Sequence, residues 1–144
     1  MKLKVQHVMD SMLVLTNIIN RQCPMPQRGK YLIARMHAKL LPEFKTIDAR
    51  RDAMIKAYGN PQTKTVTNPE TGVEYQTPVE GQWQVPPEMM GEFTAAWEEI
   101  GEEEIDVDIS PLPLTALCMP NGTEGLIESG EFITLGELVY DNAA

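Results

Sequence analysis

Every lysine and arginine of this chain lies within its first 64 residues. Residues 1–58 carry eleven basic and four acidic side chains, a balance of +7, and residues 59–144 carry one basic and seventeen acidic, a balance of −16. A net charge of −9 therefore conceals two segments of opposite sign. Such an asymmetry constrains assembly and partners. It allows three outcomes. The acidic segment folds back on the basic one, segments of different copies pair head to tail, or one segment faces an outside partner. At 144 residues one domain with one core is expected, a basic helical hairpin over 1–60 continuing into an acidic α+β part over 61–144. A pI near 4.6 speaks against nucleic acid as the partner of the whole molecule, because phosphate binding needs clustered cations.

Apolar periodicity predicts a first helix over Leu3–Arg21, with Val5, Val8, Met9, Met12, Leu15, Ile18 and Ile19 on one face. Pro24 and Pro26 end it, since proline disfavours helical geometry in the residue before it. A second helix follows over Gln27–Tyr58, with Pro42 expected to kink or split it and Gly59 placed as its cap. The short joint around Cys23–Gln27 makes the two helices antiparallel neighbours. Thr63–Thr77, rich in β-branched residues around Asn68-Pro69-Glu70-Thr71-Gly72, reads as a β-hairpin or as a surface loop. A third helix is expected over Pro87–Ile100, packed against the helical hairpin and the sheet and ended by Gly101. Strict alternation over Glu104–Ile109 predicts a half-buried strand, followed by an extended Ser110–Leu114 edge. Asn121-Gly122 marks a turn, and Thr134–Glu137 fits a capping box before Leu138, Val139 and Tyr140. The fold class is α+β: an antiparallel helical hairpin, a third helix, and a small antiparallel sheet with one β-hairpin.

Seven carboxylates crowd the eleven residues from Glu98 to Asp108. They read as a solvated helix end running into a solvated strand face, or as a hard-cation site, although no calcium-loop spacing is present. Their mutual repulsion would be relieved by a basic surface, for which Arg28, Lys30, Arg35, Lys39, Arg50 and Arg51 of the long helix are the candidates. Glu102, Glu103, Asp106 and Asp108 are the candidate acidic side of that contact. Trp83, between Gln82 and Gln84, either anchors a partner or caps the small sheet. The nine methionines fill a core or furnish an adaptable interface. His7 and His37 have no Ser, Cys or carboxylate at a catalytic spacing, and read as surface or core residues. Cys23 and Cys118 lie 95 positions apart in no metal spacing and read as two reduced thiols. No catalytic residue, cofactor or metal is expected, and no activity as an enzyme. The N-terminus does not read as a signal peptide. No apolar run approaches the roughly 20 residues that span a bilayer, so no membrane partner is expected.

The order of these pieces resembles a group of short tailed-bacteriophage proteins of uncharacterised function. The resemblance rests on the joint Cys23-Pro24-Met25-Pro26 and on the stretch from Ile47 to Gly59 that closes the second helix. It rests also on the aromatic acidic helix from Glu92 to Ile100, and on the acidic strand running into Ile109-Ser110-Pro111-Leu112-Pro113-Leu114. It implies a phage origin, in a virion or in the cytoplasm of a bacterial host, and carries over no functional residue. The expected role is an accessory or virion-associated structural protein, not an enzyme. Its partners would be other copies of itself or other phage proteins. The alternative is an anti-defence protein, either an acidic mimic that blocks a nuclease or a sponge for a nucleotide messenger.

Overall fold

A computed structural model of the protein describes residues 1–118 and 126–141. The order is β1 (Lys2–Lys4), α1 (Val5–Arg21), α2 (Gln27–Tyr58), β2 (Asn60–Thr67), β3 (Glu74–Gln84), α3 (Pro87–Gly101) and β4 (Glu104–Asp106). Then come β5 (Leu112–Pro113), α4 (Leu114–Leu117), α5 (Ser129–Leu135), a 3₁₀ turn (Gly136–Leu138) and β6 (Val139–Tyr140). The class is α+β, as the periodicity indicates. The single small sheet is replaced by three two-stranded ones: β1–β4 and β2–β3 antiparallel, and β5–β6 parallel. The Asn121-Gly122 turn lies outside the described residues.

Two compact units divide the chain. One comprises Met1–Ile47 with the stretch from Ile100 onward, and the other Asp48–Glu99. In the first unit α2 runs back along α1. Thr16 Oγ1 lies 3.2 Å from His37 Nε2, and Ile18 shares a cavity wall with Ile33. The expected start of α1 at Leu3 gives way to a strand. Lys2, Leu3 and Lys4 pair with Asp106, Ile105 and Glu104, and the helix starts at Val5, whose N–H donates to the Glu103 carbonyl at 2.9 Å. Leu3 is thereby buried among the α1 face residues Val5, Val8, Met12, Leu15 and Ile18. At the other end of α1, Gln22 takes the left-handed conformation (φ 52°) and its N–H caps the carbonyls of Ile18 and Ile19.

The second helix keeps its predicted bounds but is not split at Pro42. A proline removes one N–H, here the donor to the carbonyl of Ala38, and both Pro42 and Ala38 are exposed to water. Gly59 ends the helix for a reason other than a left-handed turn. Its φ is not positive, but a Cβ there would stand 2.5 Å from the Ile55 carbonyl oxygen and 2.7 Å from that of Gln84. The strand predicted over Glu104–Ile109 pairs only over Glu104–Asp106, because its partner is three residues long. Its alternation persists beyond the ladder: Val107 is buried between exposed Asp106 and Asp108. The capping box falls six residues earlier than expected. Glu131 Oε1 accepts the Glu128 N–H at 2.9 Å and starts α5, whereas Thr134 sits inside that helix and its hydroxyl donates to the Gly130 carbonyl.

Within Asp48–Glu99 the hairpin is longer than predicted. It closes through the Asn68 N–H to the Val73 carbonyl (2.9 Å), with Gly72 at φ +69°. The last turn of α2 meets α3 through an edge-on contact of Tyr58 and Phe93, ring centroids 6.1 Å apart. The core is unevenly shared. All buried apolar side chains but one belong to the first unit, and Val85 alone represents the second among the described residues.

Two glycines separate space from backbone cost. A Cβ on Gly29 would overlap the Ala116 carbonyl, whereas one on Gly91, inside α3, meets nothing within 4 Å. Gly29→Ala is expected to lower stability by about 1–3 kcal/mol through overpacking. Gly91→Ala should raise it by about 1 kcal/mol. Urea unfolding of both variants checks the pair.

Candidate functional site

The charged segments meet inside one copy. Lys4 Nζ donates to Glu102 Oε2 at 2.7 Å, and Lys39 Nζ donates to the Asp108 carbonyl at 3.0 Å with the Asp108 carboxylate 3.8 Å away. The N-terminal amine reaches Asp106 Oδ1 at 3.1 Å, and Arg21 forks onto the Glu131 carboxylate with contacts of 2.5 and 3.2 Å. Each pair joins a basic group at or before residue 39 to an acidic one at or after residue 102. The first unit consequently holds eight basic and twelve acidic residues and the second four and nine, so the sequence polarity is largely cancelled within each unit.

The partners are not mainly those the sequence suggests. Of the candidate cations on α2, Lys39 meets the acidic cluster, and β1 and the chain start supply further partners. Arg28, Lys30 and Arg35 stand exposed on the first half of α2, in none of the described ion pairs. Arg50 and Arg51 are exposed on its last turns, in the second unit. Glu103 is exposed and contributes its carbonyl to the start of α1.

Most of these pairs are solvated; the Lys4 and Glu102 side chains keep 55% and 71% of their exposure. The Lys4 amine is nonetheless held above its ordinary 10.5 by its bond to Glu102. Such exposed pairs are worth little each. The Arg21–Glu131 contact differs, because the Glu131 side chain is only 13% exposed and also caps α5. The Arg21 bond is the main cause that holds the Glu131 carboxyl below its ordinary 4.5, and partial burial opposes it.

Both histidines fasten elements together. Nε2 of His7 lies 3.0 Å from the Leu135 carbonyl, which makes it the N–H donor, and Nδ1 faces Glu137 at 3.6 Å. Cys23 is buried at the α1–α2 joint, Cys118 is exposed, and both are free thiols. Among the described residues no group of three or more His, Cys, Asp or Glu is placed to hold a metal ion, and no helix is long and apolar enough to cross a membrane.

The second unit carries the surface that charge reading alone misses. Opposed residues of an antiparallel pair share a face, so Lys64, Val66, Tyr75 and Thr77 line one side of the β2–β3 ribbon. Thr63, Thr65, Thr67, Glu74, Gln76 and Pro78 line the other, tied by the Gln76 amide donating to Thr65 Oγ1 at 2.8 Å. The first side is amphipathic and open, with Tyr75 at 51% exposure. Trp83 lies at the ribbon's base, half-buried and opposite Pro61. The sequence signal for this surface was the Val66 and Tyr75 alternation in the hairpin arms.

No protein-family model matches the chain, and no curated protein or solved structure matches it.

The Glu131 geometry fixes a pH dependence. A carboxyl depressed in the folded state stabilises the fold fully above its ordinary 4.5, and that contribution is lost as pH falls through the lower folded value. Glu131→Ala is therefore expected to cost about 1 kcal/mol near neutrality, the scale of a lost helix cap. The gap from the parent should narrow progressively below pH 4.5. Urea midpoints across an acid series measure it.

Proposed function

We propose that the protein works by protein–protein contact, as an accessory or virion-associated component of a tailed bacteriophage, with residues 48–99 as its contact unit. One observation carries this reading. Among the described residues Val85 alone of that unit is a buried apolar side chain, while Met54, Ile55, Tyr58, Val66, Trp83, Phe93 and Trp97 are half-covered and Val73, Tyr75 and Met90 are exposed. A unit of this size with so little buried surface is marginal alone. A two-stranded ribbon is likewise marginal until something packs on its face. The phage assignment rests on the resemblance in order and phrasing described above.

The cancelled charges reshape the expected self-association. Head-to-tail pairing of basic and acidic segments would need Lys4, Arg21 and Lys39 to exchange partners they already hold. Contact through the apolar side of the ribbon needs no exchange. A nuclease-blocking role for the acidic cluster would likewise draw on Glu102, Asp106 and Asp108, which are engaged within the copy.

Light scattering on a sizing column at low and high salt tests this. The expected result is an oligomer of defined mass that persists at high salt, as apolar contacts do. The double variant Val66→Ser/Tyr75→Ser should reduce it to monomer without unfolding. An oligomer that dissociates with salt and ignores the double substitution would contradict the assignment, and a monomer in every condition would remove self-association from it.

A further inference from the structure

The β2–β3 ladder breaks at one place, and a pocket lies there. Pro61 pairs with Trp83 and Thr63 with Pro78, so Gln62 stands alone on β2 against residues 79–82 on β3. Gly81, at φ +73° with open space where a Cβ would stand, lets β3 make this bulge. Bulges re-aim side chains and recur beside binding sites. Here the bulge brings Gln62, Gln82 and Trp83 to one wall of a pocket of about 390 Å³, and Asp52, Ile55 and Lys56 of α2 form the other. Asp52 and Lys56 are one helical turn apart, yet among the described residues their side chains, those of the two glutamines and the Trp83 indole N–H form no hydrogen bond or ion pair. An unused carboxylate, an unused ammonium and two unused amides thus surround a half-buried indole.

We propose that this pocket binds a neutral pyranose sugar, its ring face on Trp83 and its hydroxyls on Asp52, Lys56, Gln62 and Gln82. The volume lies in the range of small-ligand sites. A sugar ring offers an apolar face of C–H groups to the negative π-face of an indole. Its hydroxyls both donate and accept, which suits a rim holding an acceptor (Asp52), a donor (Lys56) and two amides that do both. Competing ligand classes fit less well. A nucleotide would also stack on the indole, but its phosphates would enter a unit holding nine acidic and four basic residues. A quaternary ammonium is recognised by a cage of aromatic rings, and Trp83 is the one aromatic lining this pocket. This inference goes beyond the contact-protein reading and does not depend on it.

The test is a titration of the ¹⁵N-labelled full chain with the methyl pyranosides of glucose, galactose, mannose and N-acetylglucosamine. The readout is the two indole N–H resonances, with that of Trp83 assigned by its loss in Trp83→Phe. The expected result is a saturable shift of the Trp83 signal by at least one of the four while that of Trp97 stays in place. Asp52→Ala and Gln82→Ala, both at exposed positions, should keep the folded spectrum, and Asp52→Ala should weaken binding about tenfold, the scale of a lost hydrogen bond to a charged group. No shift with any of the four sugars overturns the proposal. So does a shift that both substitutions leave unchanged, or one produced equally by glycine or by adenosine monophosphate.

Discussion

The β1–β4 ladder is the closure on which the rest of the first unit depends. It spans three residue pairs, and backbone bonds extend it at both ends, from Val5 to Glu103 and from Val107 to Met1. Through it, residues separated by about a hundred positions become neighbours. The ladder sets the starting point of α1, seats Leu3 in the core, and delivers Glu102, Asp106 and Asp108 to the edge where Lys4, the N-terminal amine and Lys39 wait. The hydrophobic contribution comes from the α1 and α2 faces and from Leu117, Leu135 and Leu138, all fully buried. The ion pairs follow from this closure rather than drive it, since exposed pairs contribute little individually. Arg21–Glu131 is the exception, because it also starts α5 against the end of α1.

The second unit obeys a different economy of burial. Its helical segments and ribbon leave many apolar side chains at partial exposure, and Val85 alone is a buried apolar residue there among the described residues. Hairpin edges that lie open are commonly blunted by proline and charge. Here Pro61, Pro78 and Lys64 lie on the ribbon strands, which guards against indiscriminate strand pairing. The side carrying Val66 and Tyr75 has no proline and is open apart from Lys64. This contrast between guarded edges and an open face supports a contact role for the unit.

Much of the helical structure was legible because a 3.6-residue apolar period is a strong local signal. The bounds of α2 and the start of α3 at Pro87 follow from proline and glycine punctuation alone. Pro42 misled, because a surface proline needs only water for the carbonyl it leaves unpaired. The short strands were hidden for a physical reason. Leu3 lies in a strand of three residues, too short for alternation to show, and its partner Ile105 is distant in the sequence. The parallel β5–β6 pair, of two residues each, has no length in which alternation could show. For the interaction residues, the signs of the charges are legible in the sequence but their partners are not. The acidic cluster is expected to meet the cations of α2, yet the cation that reaches Glu102 is Lys4. Trp83 was singled out for its odd setting, but the bulge that opens a pocket beside it depends on register, which the sequence does not display.

The central claim is that the oppositely charged segments pair within one copy. Zero-length carbodiimide cross-linking of an equal mixture of ¹⁴N- and ¹⁵N-labelled protein tests it most directly, because it joins lysines to carboxylates already in contact. The account predicts Lys4–Glu102 and Lys39–Asp108 cross-links with both peptides light or both heavy. Mixed light–heavy cross-links at those two pairs, as abundant as the uniform ones, would place the pairing between copies and contradict the account.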